Sequence, residues 1–173
     1  MSVFAPVTAV TPTRIKPPHR LVGVQEYVEV IGQITRLERL LLDIIKDEFE
    51  RRGQTGITPV QALLLFNLGE AEVTVGELKS RGFYQGSNVS YNLRKLVRLG
   101  YLHHARSESD KRSVKISLTT KGRDVRGILQ NLFASHIDGQ ASRRLPRTEG
   151  LAKATEMMGV IEKFWRQQIR YIY

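Results

Sequence analysis

The segment from residue 87 to residue 122 constrains the fold of this chain most. It opens with SNVSYNLRKLVRLG, in which Val89, Leu93, Leu96 and Val97 share one side of a helix and polar or basic residues dominate the other. Two strand-like runs, YLHHAR and SVKISL, follow around a hexapeptide, SESDKR, that is polar throughout. A helix followed at once by a hairpin with a polar tip is the order of elements that a winged helix-turn-helix requires.

The residues before this segment predict two further helices. Thr58 and Pro59 are typical of a helix start, with threonine as the N-cap and proline at the first helical position. The apolar run that follows ends at Gly69. Thr74 and Glu77 have the spacing of a capping box, so a short helix is expected to begin there.

Long amphipathic helices are predicted on both sides of this lobe. The first covers about residues 20–52, and the last runs from about residue 148 to 171. Each carries an apolar stripe at helical spacing, formed by Val30, Ile34, Leu37, Leu41 and Ile44 in the first helix and by Leu151, Ala154, Met158, Ile161 and Trp165 in the last. One small lobe cannot cover both stripes, so the sequence predicts a homodimer.

The predicted fold class is mainly α with a small β wing. We expect four parts: a flexible N-terminal arm (1–18) that contains four prolines, a long dimerisation helix (19–56), a winged helix-turn-helix DNA-binding lobe (57–126) and C-terminal dimerisation helices (127–173).

Positive charge is concentrated in the lobe. The chain has a formal net charge of +10, and residues 74–126 contain 12 basic and 4 acidic residues, a net of +8. The rest of the chain has 15 basic and 13 acidic residues, a net of +2. A polyanionic partner explains such a local excess better than a general solubility charge does.

Several other classes of protein are disfavoured. The chain has no cysteine, which excludes disulfides and thiol chemistry. His103 and His104 are adjacent on a predicted strand and point to opposite faces, so they cannot chelate one metal ion. We find no nucleophile and base in a recognisable arrangement and no glycine loop for phosphate. We therefore expect no catalytic site, metal or cofactor. With no secretory signal and no apolar run of membrane-spanning length, we expect a cytoplasmic protein with no membrane partner.

Four motifs between residues 74 and 122 follow a known pattern. They are Thr74-Val75-x-Glu77-Leu78, Ser87-x-Val89-Ser90-x-x-Leu93-x-x-Leu96-x-x-x-Gly100-Tyr101-Leu102, Asp110-x-Arg112-Ser113 and Leu118-Thr119-x-x-Gly122. Together they resemble the MarR family of bacterial transcription regulators. The chain also looks similar to a proteobacterial subgroup that controls cell-envelope genes such as that of an L,D-transpeptidase, although no diagnostic motif supports the subgroup.

The resemblance implies two groups of DNA-binding residues. The recognition helix would contribute Ser87, Asn88, Ser90, Tyr91, Arg94 and Lys95, and the wing would contribute Arg106, Asp110, Lys111 and Arg112. We expect Arg94 to reach a guanine edge, Asn88 to read adenine, and Arg112, oriented by Asp110, to enter the minor groove. The alternative is an ordinary solvated helix face and an ordinary charged turn.

The resemblance also implies a sequence-specific regulator of double-stranded DNA that binds a roughly palindromic operator. We expect a repressor that a small aromatic molecule releases, with a ligand pocket near Ile45, Leu63 and Phe66; these three residues are otherwise simple core. The alternatives are an activator, a ligand-independent regulator, an architectural DNA-binding protein without strong sequence preference, and a protein-interaction module that has lost DNA binding.

Overall fold

The structure, a computed structural model, is mainly helical with a small sheet, and it describes residues 23–80, 87–106, 114–138 and 140–172. The helices of these residues are α1 (Val24–Arg51), α2 (Pro59–Leu68), α3 (Val75–Ser80), α4 (Ser87–Arg98), α5 (Thr120–Asp138) and α6 (Thr148–Ile172). The strands are β1 (Val73–Thr74), β2 (Leu102–Arg106) and β3 (Val114–Leu118), and a 3-10 helix spans Gln140–Arg144. The predicted fold class is therefore confirmed.

The chain divides into two compact units, with the boundary between Ile44 and Ile45. The described part of the first unit is the beginning of α1, on which Val30 and Leu37 are 38% and 43% exposed. The second unit holds the sheet and the remaining helices. The arm predicted for residues 1–18 lies outside the described residues, and the division into four parts stays a prediction.

The sheet is antiparallel, with β3 between β1 and β2. The hairpin of β2 and β3 pairs Leu102 with Leu118 at one end and Arg106 with Val114 at the other, as the sequence predicts. Strand β1 was not predicted, because two residues are too few to show an alternating pattern. It pairs Val73 with Ile116 and joins the hairpin to the start of α3.

The core of the second unit is built where α2 packs against α5 and where the sheet meets α4. It is almost entirely aliphatic, because the elements that build it turn apolar side chains inward. Its fully or nearly fully buried side chains include Ile45, Phe49, Ala62, Leu64, Leu65, Leu68, Leu78, Leu93, Leu96, Ile116, Leu118, Val125 and Leu129.

Both predicted helix starts are confirmed by hydrogen bonds. The side chain of Thr58 accepts from the backbone N–H of Gln61 at 3.3 Å, and Oε1 of Gln61 accepts from the backbone N–H of Thr58 at 3.2 Å. Thr74 and Glu77 form the second capping box, in which a Glu77 carboxylate oxygen accepts from the backbone N–H of Thr74 at 2.6 Å. Each box satisfies backbone donors that a helix start leaves free.

The end of α1 is fixed by a buried carboxylate. Glu48 is 6% exposed and accepts hydrogen bonds from the guanidinium groups of Arg51 and Arg52. These hydrogen bonds hold the pKa of Glu48 below its ordinary value, although burial opposes them. The carboxylate is therefore charged at neutral pH and holds both arginines against the last turns of the helix.

The end of α4 is joined to the start of α5. Gly100 adopts a φ of +77°, and the N–H of Tyr101 reaches back to the carbonyl of Leu96 at 2.9 Å, which closes the helix as a Schellman motif. Thr119, the N-cap of α5, donates its hydroxyl proton to the carbonyl of Gly100 at 2.7 Å. Lys121 Nζ donates to the carbonyl of Leu99 at 2.9 Å and lies 4.2 Å from the centre of the Tyr101 ring.

Gly122 allows this junction to be so close. A Cβ at residue 122 would lie 2.2 Å from the carbonyl oxygen of Tyr101 and 3.2 Å from Leu118 Cδ2. The first distance is far inside van der Waals contact, and the obstructing atom belongs to the backbone, which cannot move aside as a side chain can. Glycine is thus required here for close packing.

We predict that Gly122→Ala lowers the free energy of unfolding by about 3 kcal/mol, because the methyl group forces α5 away from Tyr101. Urea denaturation followed by circular dichroism would measure it. Gly127→Ala is the matched control on the same helix, since a Cβ there meets nothing within 4 Å. The control should be neutral or stabilising by up to about 1 kcal/mol, and equal losses for the two variants would contradict the packing argument.

Candidate nucleic-acid interface

Helix α4 separates an apolar side from a polar side. Leu93 and Leu96 are buried, whereas Tyr91 is 56% exposed and Arg94 is exposed. Ser90 and Lys95 are half-buried at the border between the two sides. The four predicted interface residues described on this helix thus reach the surface to different extents.

Arg94 is held along the helix surface. Its Nε donates to the backbone carbonyl of Ser90, one turn earlier, at 3.1 Å. This bond uses one of the five N–H donors of the guanidinium group. Within the described part of the chain no carboxylate lies at ion-pair distance from Arg94, Lys95 or Arg98. The exposed side of α4 is therefore positive and open to an anionic partner.

The remaining predicted contacts lie at the margins of the described structure. Ser87 and Asn88 occupy the first turn of α4, and Arg106 ends β2, but the side chains of all three lie outside what is described. Asp110, Lys111 and Arg112 lie outside the described residues. Their predicted roles in DNA binding stay predictions.

Ion pairs reduce the charge excess that the sequence indicates. Lys115 Nζ lies 3.0 Å from a carboxylate oxygen of Glu72, and Arg126 Nη1 lies 2.7 Å from one of Glu70. Both acids stand just before the window counted from residue 74. Extending the window to residue 70 gives 12 basic and 6 acidic residues, a net of +6 instead of +8. Half of the remaining excess lies on α4, which carries Arg94, Lys95 and Arg98 and no acidic residue.

A cavity of about 380 Å³ lies between α4 and the sheet. Leu93 and Val97 line it from α4, Ile116 and His104 line it from the sheet, and Arg94 stands at its wall. The surface is mainly apolar with few polar groups, which is the usual character of a small-molecule site. Sequence reasoning missed this cavity, because its wall is made by residues that are far apart in the chain.

The residues predicted to line a ligand pocket are packed differently. Ile45 is fully buried, and Leu63 and Phe66 are half-buried. The ring of Phe66 meets that of Phe133 edge to face, with centroids 5.1 Å apart. None of the three lines the cavity beside α4. Their role in ligand binding stays a prediction.

Two polar residues near α4 were also missed as site residues. Gln61 of α2 donates from Nε2 to Oδ1 of Asn92 in α4 at 3.1 Å. The available signal was the spacing of Thr58 and Gln61, which predicts a capping box at the helix start. Nothing in that spacing indicates a partner 31 residues away.

Neither a metal-binding cluster nor a membrane-spanning helix is found among the described residues. They contain no group of three or more His, Cys, Asp or Glu side chains that could hold a metal ion. None of their helices combines the length and the apolar character needed to cross a bilayer.

Sequence comparisons agree with the motifs. A family model described as MarR family matches residues 55–113. The exopolysaccharide II synthesis transcriptional activator ExpG of Rhizobium meliloti (strain 1021) is 34% identical over 149 residues, which cover 84% of this chain and 74% of that protein. The chain belongs to the MarR family. It is accordingly a transcription regulator of the MarR type.

Solved structures of MarR-like proteins share the fold. FabT of Streptococcus pneumoniae, in complex with DNA, gives a TM-score of 0.60 at 22% identity, covering 82% of this chain and 99% of that chain. A mutant of MarR from E. coli, complexed with operator DNA, gives 0.61 at 20% identity, covering 78% of this chain and 95% of that chain. At such low identities the likeness shows the winged helix-turn-helix fold alone. The resemblance to a subgroup that controls cell-envelope genes stays a prediction.

Proposed function

We propose that this MarR-family chain binds double-stranded DNA sequence-specifically, as a homodimer, with α4 in the major groove and the β2–β3 wing beside it. The observation that carries the proposal is the two-sided packing of α4. Leu93 and Leu96 anchor the helix in the core, whereas Tyr91 and Arg94 are exposed, and no described carboxylate pairs with Arg94. A helix anchored on one side and polar on the other is suited to enter a major groove. The architectural and protein-interaction alternatives lack a comparable observation.

Base reading and phosphate contact are assigned to different residues. Arg94 has donors left for the two acceptors on a guanine edge, and Asn88 would read adenine. Ser87, Ser90, Lys95, Arg106 and Lys111 would hold phosphates, which set the register of the protein without reading sequence. Arg112, oriented by Asp110, would enter a narrow minor groove, whose negative potential favours a guanidinium.

Arg94→Ala should weaken binding to a preferred duplex, selected from a random pool, by about 1–3 kcal/mol and relax specificity at one position per half-site. Lys111→Ala is the matched control, because a phosphate contact is lost equally on any sequence. It should weaken selected and random duplexes alike and lower the salt slope by about 1 per contact. Arg112→Ala should lower the binding affinity most for sites with A·T-rich flanks. Fluorescence anisotropy across a salt series measures all three, and unchanged affinity in every variant would refute the proposed interface.

Exposed apolar stripes support the homodimer. On α6, Leu151 is 47% and Met158 48% exposed, and nearly every described side chain of this 25-residue helix is exposed in the single chain. A helix whose apolar side faces water gains little from its own propensity and needs a partner to cover it. The exposed Val30 and Leu37 of α1 likewise need a partner surface to cover them.

Sedimentation at micromolar concentration should give about 39 kDa, twice the 19.7 kDa of one chain. Met158→Asp should shift the protein toward monomer, because it places a charge in the apolar stripe of α6. Ala152→Asp, an exposed residue on the opposite side of α6, should leave the dimer intact. A well-folded monomer of the unaltered protein would refute this part of the proposal.

The sign of regulation has two candidates. A repressor is what the sequence analysis favours. An activator is favoured by one observation, the relative named as a transcriptional activator that is 34% identical. Transcription in vitro from a promoter that the protein binds separates them, since a repressor lowers and an activator raises the transcript level.

Release by a small aromatic ligand is the last part of the proposal, with two possible locations. The first is the predicted pocket at Ile45, Leu63 and Phe66. The second is the cavity between α4 and the sheet, whose volume of about 380 Å³ falls in the range of ligand sites. A ligand changes DNA affinity only if it binds one state of the protein more tightly, and a hundredfold change needs about 2.7 kcal/mol of coupling.

Filling one location at a time distinguishes them. Leu63→Trp should abolish the ligand response if the first location is correct, and Val97→Phe should do so if the cavity beside α4 is correct. A panel of aromatic acids and phenols, scored by thermal shift and by operator affinity, provides the measurement. If no compound changes both quantities in the unaltered protein, ligand release is wrong for this chain.

A further inference from the structure

A polar bond crosses the interior between α2 and α4. Gln61 is 2% exposed, and its Nε2 donates to Oδ1 of Asn92 at 3.1 Å. Asn92 is half-buried and stands next to the buried Leu93. Among mainly aliphatic contacts, this bond is directional, and it ties the third residue of α2 to the middle of α4.

The choice of glutamine at residue 61 points to that bond. Its Oε1 already closes the capping box with the backbone N–H of Thr58. A glutamate would close the same box, and its negative charge would suit a helix start better. What glutamine adds is the Nε2 donor, which is directed at Asn92. A buried donor without a partner costs stability, so the amide and its acceptor belong together.

This bond restricts a motion that the aliphatic contacts permit. Burial of Leu93 and Leu96 is favourable over a range of helix rotations, because apolar attraction has no preferred direction. A rotation of about 10° moves an atom about 5 Å from the helix axis by about 0.9 Å. That exceeds the range of about 0.5 Å within which an N–H···O bond is well formed. The amide pair therefore fixes the rotation of α4 about its own axis.

The same rotation determines where the proposed DNA contacts lie. Asn92 and Arg94 are two residues apart, so their side chains leave the helix about 200° apart around its axis. Turning α4 at Asn92 moves Arg94 by at least as much, because the arginine side chain reaches farther from the axis. Bidentate contact with a base edge tolerates such a displacement poorly, whereas phosphate contact by flexible side chains tolerates it well.

We propose that Gln61 and Asn92 are positioning residues that set the sequence preference of DNA binding without Gln61 touching DNA. The inference rests on the proposed function of α4. Under this proposal a buried residue of α2 determines sequence specificity, although no residue of α2 is among the proposed DNA contacts.

Gln61→Met keeps the length of the side chain and removes both polar atoms. The ratio of the dissociation constants for random and selected duplexes should fall about tenfold, equivalent to about 1.4 kcal/mol, with little change in affinity for random DNA. Gln61→Glu should also lower the ratio, because it keeps the capping-box acceptor for Thr58 and removes the Nε2 donor to Asn92. In an Asn92→Leu background, Gln61→Met should lower the ratio no further than Asn92→Leu alone does, since the acceptor for Nε2 is already absent.

A stability effect must be separated from a positioning effect. Leu129→Ala provides the control, because this fully buried side chain of α5, the helix that packs against α2, contributes apolar packing without a directional bond. Leu129→Ala should lower the free energy of unfolding. For the folded protein, the ratio of the dissociation constants for random and selected duplexes should stay unchanged, with the folded fraction measured by circular dichroism. An equal fall in the ratio for Leu129→Ala would overturn the inference, as would an unchanged ratio for Gln61→Met. If the unaltered protein shows no preference for any selected duplex, the proposed function itself fails, and the inference fails with it.

Discussion

The close approach of Gly122 to the carbonyl of Tyr101 is the constraint on which the rest of the lobe depends. Three elements meet there: the end of α4, the start of β2 and the start of α5. Thr119 and Lys121 add hydrogen bonds to the carbonyls of Gly100 and Leu99. Because these bonds act on backbone atoms, the geometry of the junction is largely independent of the side chains on the exposed side of α4. In the proposed function, that side is therefore free to vary with the DNA sequence that it recognises.

The candidate interface is held from two directions. The Gln61 amide fixes the middle of α4 from α2, and the first turn of α5 fixes its C-terminal end. A helix fixed at two points can neither rotate nor slide without breaking a hydrogen bond. In the proposed function, discrimination between base pairs is then a property of the whole lobe, because the residues proposed to contact DNA are placed by residues that do not contact it.

Much of the fold could be predicted from the sequence, because its strongest signals are local. The two capping boxes, the glycine after α4 and the alternation in β3 each depend on residues within a few positions of one another. The two-residue strand β1, the 3-10 helix at Gln140–Arg144 and the ion pairs of Glu70 and Glu72 could not be predicted in the same way. They arise from tertiary contacts that bring distant segments together and that no local spacing encodes.

The candidate site divides in the same manner. Tyr91 and Arg94 could be placed on the exposed side of α4 because a helical period fixes which residues share a face. The cavity beside α4 and the bond between Gln61 and Asn92 each join residues from separate elements of the fold. The spacing of residues within one helix or strand therefore could not predict either feature. The roles of Asp110, Lys111 and Arg112 are predicted from the motif alone, because these residues lie outside the described part of the chain.

The position of Lys121 has an electrostatic consequence for α4 as a dipole. The aligned peptide groups of a helix leave partial negative charge at its C-terminal carbonyls, which would repel a phosphate backbone. The ammonium group of Lys121 sits on one of those carbonyls and offsets that charge. In the proposed function, the C-terminal end of α4 therefore repels an approaching phosphate backbone less than an uncompensated helix end would.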